Sequence, residues 1–183
     1  MKRYLIGLAA AFMVIVTTGS FASAADVALT SVGQSPDAMM VKVVLKSLSV
    51  KPDYDPLMKA DDLSGHKVLI AVVGGSSKGL GAAGIDKDQE VSRAEALLDK
   101  AKADGVKVLV MHVGGPGRRG TLSDLFISAA VPYSDGLILV DGADQDGLFE
   151  SLLGDKPVEP EVVPNVRGTK ASLEKILASW EVL

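Results

Sequence analysis

KVLIAVVGGSSKGLGAAG, residues 67–84, joins an unbroken apolar run to a stretch of glycine, serine and a single lysine. Lys67 to Val73 shows no alternation of apolar and polar residues, which predicts a strand buried on both faces, as in a parallel sheet covered by helices. The glycines predict a loop, and Asp86 with Gln89 has the spacing of a capping pair that starts a helix. Strand, glycine-rich loop and helix in that order are where α/β proteins place ligands.

Working outward toward the N-terminus, Asp26 to Val32 reads as a first strand. Gly33-Gln34-Ser35-Pro36-Asp37 turns it into a helix, with Ser35 suited to the cap and Pro36 to the first helical position. Met40, Val44, Leu45 and Leu48 recur at helical spacing. Residues 49–63, with Pro52, Pro56 and the acids Asp53, Asp55, Asp61 and Asp62, read as a solvated crossover or flap; the acids lack the spacing of a calcium loop.

In the other direction, Val91, Ala94, Leu97, Leu98 and Ala101 form a buried helical stripe that Asp104-Gly105 ends. Val106 to Val113 is a third strand, leaving into His112-Val113-Gly114-Gly115-Pro116-Gly117-Arg118-Arg119-Gly120. A helix from Thr121 ends before Pro132, Gly136 to Val140 is a fourth strand, and Val158 to Val163 reads as a fifth, put at an edge by Pro160. Thr169 starts a last helix carrying Leu173, Ile176, Leu177 and Trp180 on one face. Five strands alternating with helices describe one doubly wound, mostly parallel α/β sheet with helices on both faces, of the flavodoxin-like or Rossmann-like kind. The loops after Val32, Val73, Val113 and Val140 all leave carboxyl ends of strands and should converge on one rim.

Ahead of this pattern stand Lys2 and Arg3, an apolar run from Leu5 to Val16, and Ala22-Ser23-Ala24, the three parts of a secretory signal peptide. The expected organisation is a signal peptide over residues 1–24, cleaved near Ala24, and one α/β domain over 25–183, periplasmic or secreted. Without Lys2 and Arg3 the 19 bases become 17 against 23 acids, a formal charge of −6, which disfavours nucleic acid as a partner. There is no cysteine, so disulfides, thiol catalysis and thiolate metal sites are excluded. With two histidines, His66 and His112, no metal or cofactor is expected.

Gly79-Leu80-Gly81-Ala82-Ala83-Gly84 matches G-x-G-x-x-G, and Gly75, Gly79 and Gly81 have the glycine spacing of short-chain dehydrogenases. Three features oppose a dinucleotide site. The next strand ends in Met111 and His112 rather than an acid, no Tyr has a Lys four residues on, and the motif follows the second strand of an exported chain. A P-loop fails because Leu80 stands where Lys is required.

The runs SVGQSPD (31–37), GGSSKGLGAAGID (74–86) and HVGGPGRRGTLSD (112–124), with the D-x-x-G turn at Asp144–Gly147, resemble an uncharacterised family of exported bacterial proteins known only as a domain of unknown function. The resemblance covers nearly all of the mature chain. It implies export and a single α/β domain, and no activity.

The residues themselves suggest a pocket for a small anionic solute. Lys78, Arg118 and Arg119 are basic groups in glycine-rich loops of an acidic chain, and arginine grips carboxylate or phosphate with a planar fork. Gln34, Ser35, Ser76 and Ser77 supply polar side chains, Gly75 and Gly79 permit close approach, and His112 stands at a strand end. The bland alternative pairs Arg118 and Arg119 with Asp124 or other acids. The favoured reading is an exported, non-enzymatic binding protein without a cofactor, serving a membrane transporter or sensor. The alternatives are a hydrolase or acyl-transfer enzyme using Ser76 or Ser77 with His112, and a docking subunit of an envelope complex.

Overall fold

Val68–Val73, the apolar run, is a strand (β3) whose six residues are all buried. The cause is a helical layer on each side. Leu69, Ala71 and Val73 pack into one apolar cluster, and Val68, Ile70 and Val72 into the other. A strand covered twice has no solvent face, hence no alternation.

The computed structural model describes residues 26–183; the signal peptide read over residues 1–24 lies outside the described residues. In chain order the elements are β1 (Val27–Val32), α1 (Asp37–Ser47), β2 (Asp53–Tyr54), β3, α2 (Ser77–Ala83), α3 (Lys87–Asp104), β4 (Lys107–His112), α4 (Thr121–Ala130), β5 (Gly136–Val140), α5 (Leu148–Leu153), β6 (Glu161–Val163) and α6 (Thr169–Ser179). The strands form one sheet in the order β2-β1-β3-β4-β5-β6, and every ladder is parallel. Val41 and Leu45 of α1 and Leu173 and Leu177 of α6 cover one face; Leu97 and Leu98 of α3, Phe126 and Ile127 of α4 and Phe149 of α5 cover the other. This is the expected doubly wound α/β architecture.

Four details depart from the sequence reading. The sheet has six strands rather than five, because residues 49–63, read as a flap, contribute β2 as an edge strand held by Ala28 opposite Asp53 and Leu29 opposite Tyr54. The last strand is shorter than residues 158–163. The glycine-rich stretch, expected as a loop, contains a helix. Ser76 caps α2 by accepting the Gly79 N–H at 3.0 Å, Leu80 anchors it in the core, and Gly84, at φ 70°, ends it. Finally His66, which reads as an exposed turn residue, has a buried ring that bonds Leu63 O at 3.1 Å and Asp53 Oδ2 at 3.0 Å, tying the turn before β3 to the edge strand.

Candidate functional site

Strand order reverses between β1 and β3, since β1 leads outward to β2 while β3 lies on its other side. At such a switch point the loops leaving the two carboxyl ends separate and open a crevice. Here the loops partly close it themselves. Gln34 bridges Gly75 in antiparallel fashion, and the Ser76 N–H donates to Gly33 O at 2.9 Å. The contact is so close that a Cβ on Gly79 would stand 2.0 Å from Gln34 O, and one on Gly75 would stand 2.7 Å from Leu122 Cγ.

Beneath that seam lies an ionic knot. Glu90, fully buried on α3, accepts from the Gly33 N–H at 2.8 Å and from Gln34 Nε2 at 3.0 Å. Arg93 pairs with it through Nε at 2.7 Å and Nη2 at 2.8 Å, and also donates to Met58 O and Ser31 O. Both partners are hydrogen-bonded on several sides, the condition under which an ion pair is tolerated in a core. The knot clamps the β1 loop to α3 and to the crossover before β3.

One carboxyl group on the rim is treated differently. Asp37, first residue of α1, has a side chain only 1% exposed, and neither oxygen has a hydrogen-bond partner among the described residues. It sits between the loops that leave β3 and β4: a Cβ on Gly74 would lie 3.5 Å from its Oδ2, and one on Gly114 would lie 3.1 Å away. The nearest cation is Arg118, whose Nη2 is 4.0 Å from Oδ1, outside hydrogen-bond range. Gly114 makes this overlap possible, since a Cβ there would meet Arg118 Cγ at 2.3 Å. Arg118 itself stays 45% exposed on a short 3₁₀ turn, Pro116–Arg118. The Ser35 hydroxyl completes the group, lying beside Gly74 and accepting the Asp37 N–H at 3.2 Å.

The sequence-derived candidates therefore separate into five places. Ser35 and Arg118 meet around Asp37. Gln34, Gly75, Ser76 and Gly79 lie in the loop seam with much of their polar capacity used: the Gln34 amide donates to Pro56 O and Glu90, the Gly75 N–H to Ser123 Oγ at 3.0 Å, and Ser76 Oγ caps α2. Ser77 and Lys78 are exposed in the first turn of α2, with no ion pair among the described residues. His112 is wholly buried, its Nδ1 3.0 Å from Val73 O and its Nε2 3.2 Å from Gly115 O, with the ring tilted against Phe149. Both ring nitrogens thus face backbone carbonyls, and among the described residues the ring bonds no serine hydroxyl.

Arg119 turns the other way. Its Nε donates to Asp124 at 2.7 Å, its Nη atoms reach Asp146 at 2.9 and 3.0 Å and Ala143 O, and the guanidinium lies over the Phe149 ring. Hydrogen bonds to Asp146 and then Asp124 raise its pKa above the ordinary arginine range. Two carboxylates on one guanidinium leave little attraction for a further anion, although a cleft of about 420 Å³ opens there between the β4 and β5 loops. Arg119 latches these two loops together, and Asp144 finishes the latch by accepting the Phe149 and Glu150 N–H groups at the start of α5. Among the described residues no three His, Asp or Glu side chains converge as a metal site would require.

Glu90 and Arg93 stand in no sequence motif, and Asp37 closes the SVGQSPD run without standing out in it. Asp37 reads as an ordinary acid in a first helical turn. Glu90 had a signal in its spacing, since positions 90, 94, 97 and 101 form one face of α3 and the first of them is an acid.

Comparison with solved structures finds AlinE4, an SGNH-hydrolase family esterase, at 12% identity and a TM-score of 0.34 over 84% of this chain and 92% of that one, together with two variants of the same esterase at the same TM-score. A likeness this weak carries neither activity nor site residues to this chain. No curated protein matches. The family described as Domain of unknown function (DUF6305) matches residues 24–177, and the chain belongs to it.

Proposed function

Starting from a family with no assigned activity, we propose that the strand-end rim holds a small polar solute, with Arg118 gripping an anionic group and Asp37 receiving a hydrogen-bond donor of the same molecule. The observation that carries this reading is the Asp37 carboxyl group, buried with neither oxygen satisfied. An unmet buried polar group costs about 1–3 kcal/mol and calls for a partner, and a bound solute bearing a donor would supply one. Ser35 supplies a third polar contact from the same turn. Exposed Lys78 adds positive potential along the rim at longer range. In this reading the chain is an exported binding domain that passes its solute to a membrane transporter or sensor.

The anion alone, as the sequence suggests it, is an incomplete description of the ligand. A carboxylate or phosphate approaching Arg118 would also come close to Asp37 and be repelled, unless it carries an ammonium or hydroxyl for that carboxyl group. Hydroxy acids, amino acids and phosphorylated alcohols meet both demands.

The test is a thermal-shift screen of the mature chain against three sets of solutes: simple carboxylates and phosphates, simple amines, and molecules bearing both functions. A ligand at about 100 times its Kd adds about 2.7 kcal/mol of stability. The bifunctional set should contain the stabilising compounds, and Arg118→Ala and Asp37→Asn should each abolish the shift. No shift from any set, or a shift that survives both substitutions, refutes the proposal.

A further inference from the structure

The outer edge of the sheet carries a second feature, away from the rim. Met39, Lys42, Val43 and Lys46 follow one another along α1 at helical spacing, and Ser49 to Pro52 run back from the helix end toward β2. Together they line a groove of about 500 Å³ with an apolar floor and walls. Val43 is 67% and Met39 48% exposed, and they are two of only six large hydrophobic residues left exposed among the described residues. Among the described residues β2 pairs only with β1, so the groove borders an edge of the sheet.

Its charge contrasts with the rest of the molecule. The chain has 23 acids against 19 bases, yet the groove is lined by Lys42, Lys46 and Lys51 and by no acid. Among the described residues none of these three lysines has a carboxylate partner, a state they share with Lys59, Lys78, Lys107, Lys156 and Lys170; what sets them apart is that they gather around one apolar groove. Lys42 lies instead over the Tyr54 ring, 4.6 Å from its centre. An apolar trough rimmed by unpaired cations is the complement of an apolar side chain flanked by carboxylates.

We infer that this groove is a docking site for an acidic amphipathic segment of another protein. A bulky aliphatic or aromatic side chain of that segment enters among Met39, Val43, Val50 and Pro52, and its neighbouring carboxylates meet Lys42, Lys46 and Lys51. Methionine suits such a surface because its unbranched thioether adapts to the shape it meets. The concave form favours an inserted side chain over a flat anionic lipid surface, which would call for apolar residues projecting from the protein. The inference is independent of the rim reading, since it uses none of the same side chains.

The experiment is selection from a displayed random peptide library on the mature chain, with counter-selection on Val43→Asp and on Lys46→Glu. Both positions are exposed, and unchanged melting temperatures verify that the variants fold. The expected result is enrichment of peptides in which Asp or Glu flank a large apolar residue. Their synthetic forms should bind the unmodified chain and lose about tenfold or more in affinity on either variant. Replacing one carboxylate of such a peptide by lysine should restore binding to Lys46→Glu. Enrichment of peptides without that pattern, or of none that distinguish the variants, overturns the inference. So does binding to phosphatidylglycerol vesicles that is lost in both variants while no peptide binds.

Discussion

Replacing Asp37 by Asn should stabilise the free protein, whereas replacing the equally buried Glu90 by Gln should cripple it. Asp37 is 1% exposed with neither oxygen hydrogen-bonded, so it bears a desolvation cost of about 1–3 kcal/mol. Two terms offset part of that cost. Its place in the first turn of α1 contributes about 0.3–1 kcal/mol through the helix dipole. The half-exposed Arg118, at 4.0 Å, contributes no more than about 1 kcal/mol. Asn keeps the volume and removes the charge but leaves an amide that is also without a partner, so only the charged part of the cost is relieved and the net expectation is a gain of up to about 1 kcal/mol, or a rise in Tm of up to about 4 °C for a domain of this size. Glu90 accepts from Gly33, Gln34 and Arg93, and Gln in its place leaves a largely buried guanidinium without its counter-charge, at a cost of about 3 kcal/mol. Urea unfolding of both variants, read as the midpoint at constant m, separates the two cases. A loss of more than about 1 kcal/mol on Asp37→Asn would show that the carboxyl group holds the fold together, and the case for a ligand there would fall.

The two glycines of the G-x-G pair should respond with opposite sign. Gly79→Ala drives a methyl into Gln34 O and should cost at least about 1–3 kcal/mol, while Gly81→Ala meets nothing within 4 Å inside α2 and should gain about 0.5–1 kcal/mol; similar urea midpoints for the two would contradict the seam described above. Ser49 stands at φ 62° just past α1, where its N–H bonds Lys46 O and the Val50 N–H bonds Leu45 O, so Ser49→Gly should raise stability by up to about 1 kcal/mol in thermal melts. Acid should weaken the fold through Asp135. Burial alone would raise its pKa, but hydrogen bonds from Lys102 and the Val108 N–H outweigh this and lower it from 3.8. A folded-state pKa below the unfolded one gives stability that is full above the unfolded value and lost as pH falls through the folded one. Melting temperatures should therefore drop below about pH 4, and the drop should be smaller in Asp135→Asn.

Much of the architecture was legible because it depends on periodicity and punctuation. The unalternating run in β3 announces a sheet covered on both faces, and Asp86 with Gln89, Gly105 and Thr121 mark helix ends within a residue or two of where they fall. The failures have a common cause in tertiary context. Glycine has low helix propensity, so Ser77–Ala83 reads as a loop; what makes it helical is the Ser76 cap and the burial of Leu80, and neither shows in composition. β2 has two residues and no pattern of its own, existing only because β1 offers an unpaired edge. Asp37 escapes notice for a similar reason, since its burial is produced by Gly74 and Gly114, far away in the chain.

The glycine-rich runs show how one sequence signal serves two physical ends. In a phosphate site glycines bare backbone N–H groups so that an anion can approach. Along the seam of this rim those groups are directed inward: the Gly33 N–H to Glu90, the Gly74 N–H to Val32 O, the Gly75 N–H to Ser123 and the Gly79 N–H to Ser76 Oγ. Glycine is needed along the seam because three loops must pass within contact of one another, and any Cβ at Gly33, Gly75 or Gly79 would meet a neighbour at less than 3 Å. The consequence for binding follows directly. With these donors consumed, an anion on this rim depends on side-chain cations, of which Arg119 is already held by two carboxylates. Arg118 is left beside Asp37, a buried rim carboxyl group with no donor among the described residues. A molecule with an acceptor for the first and a donor for the second completes both at once, and a purely anionic one completes neither without leaving Asp37 worse placed than before.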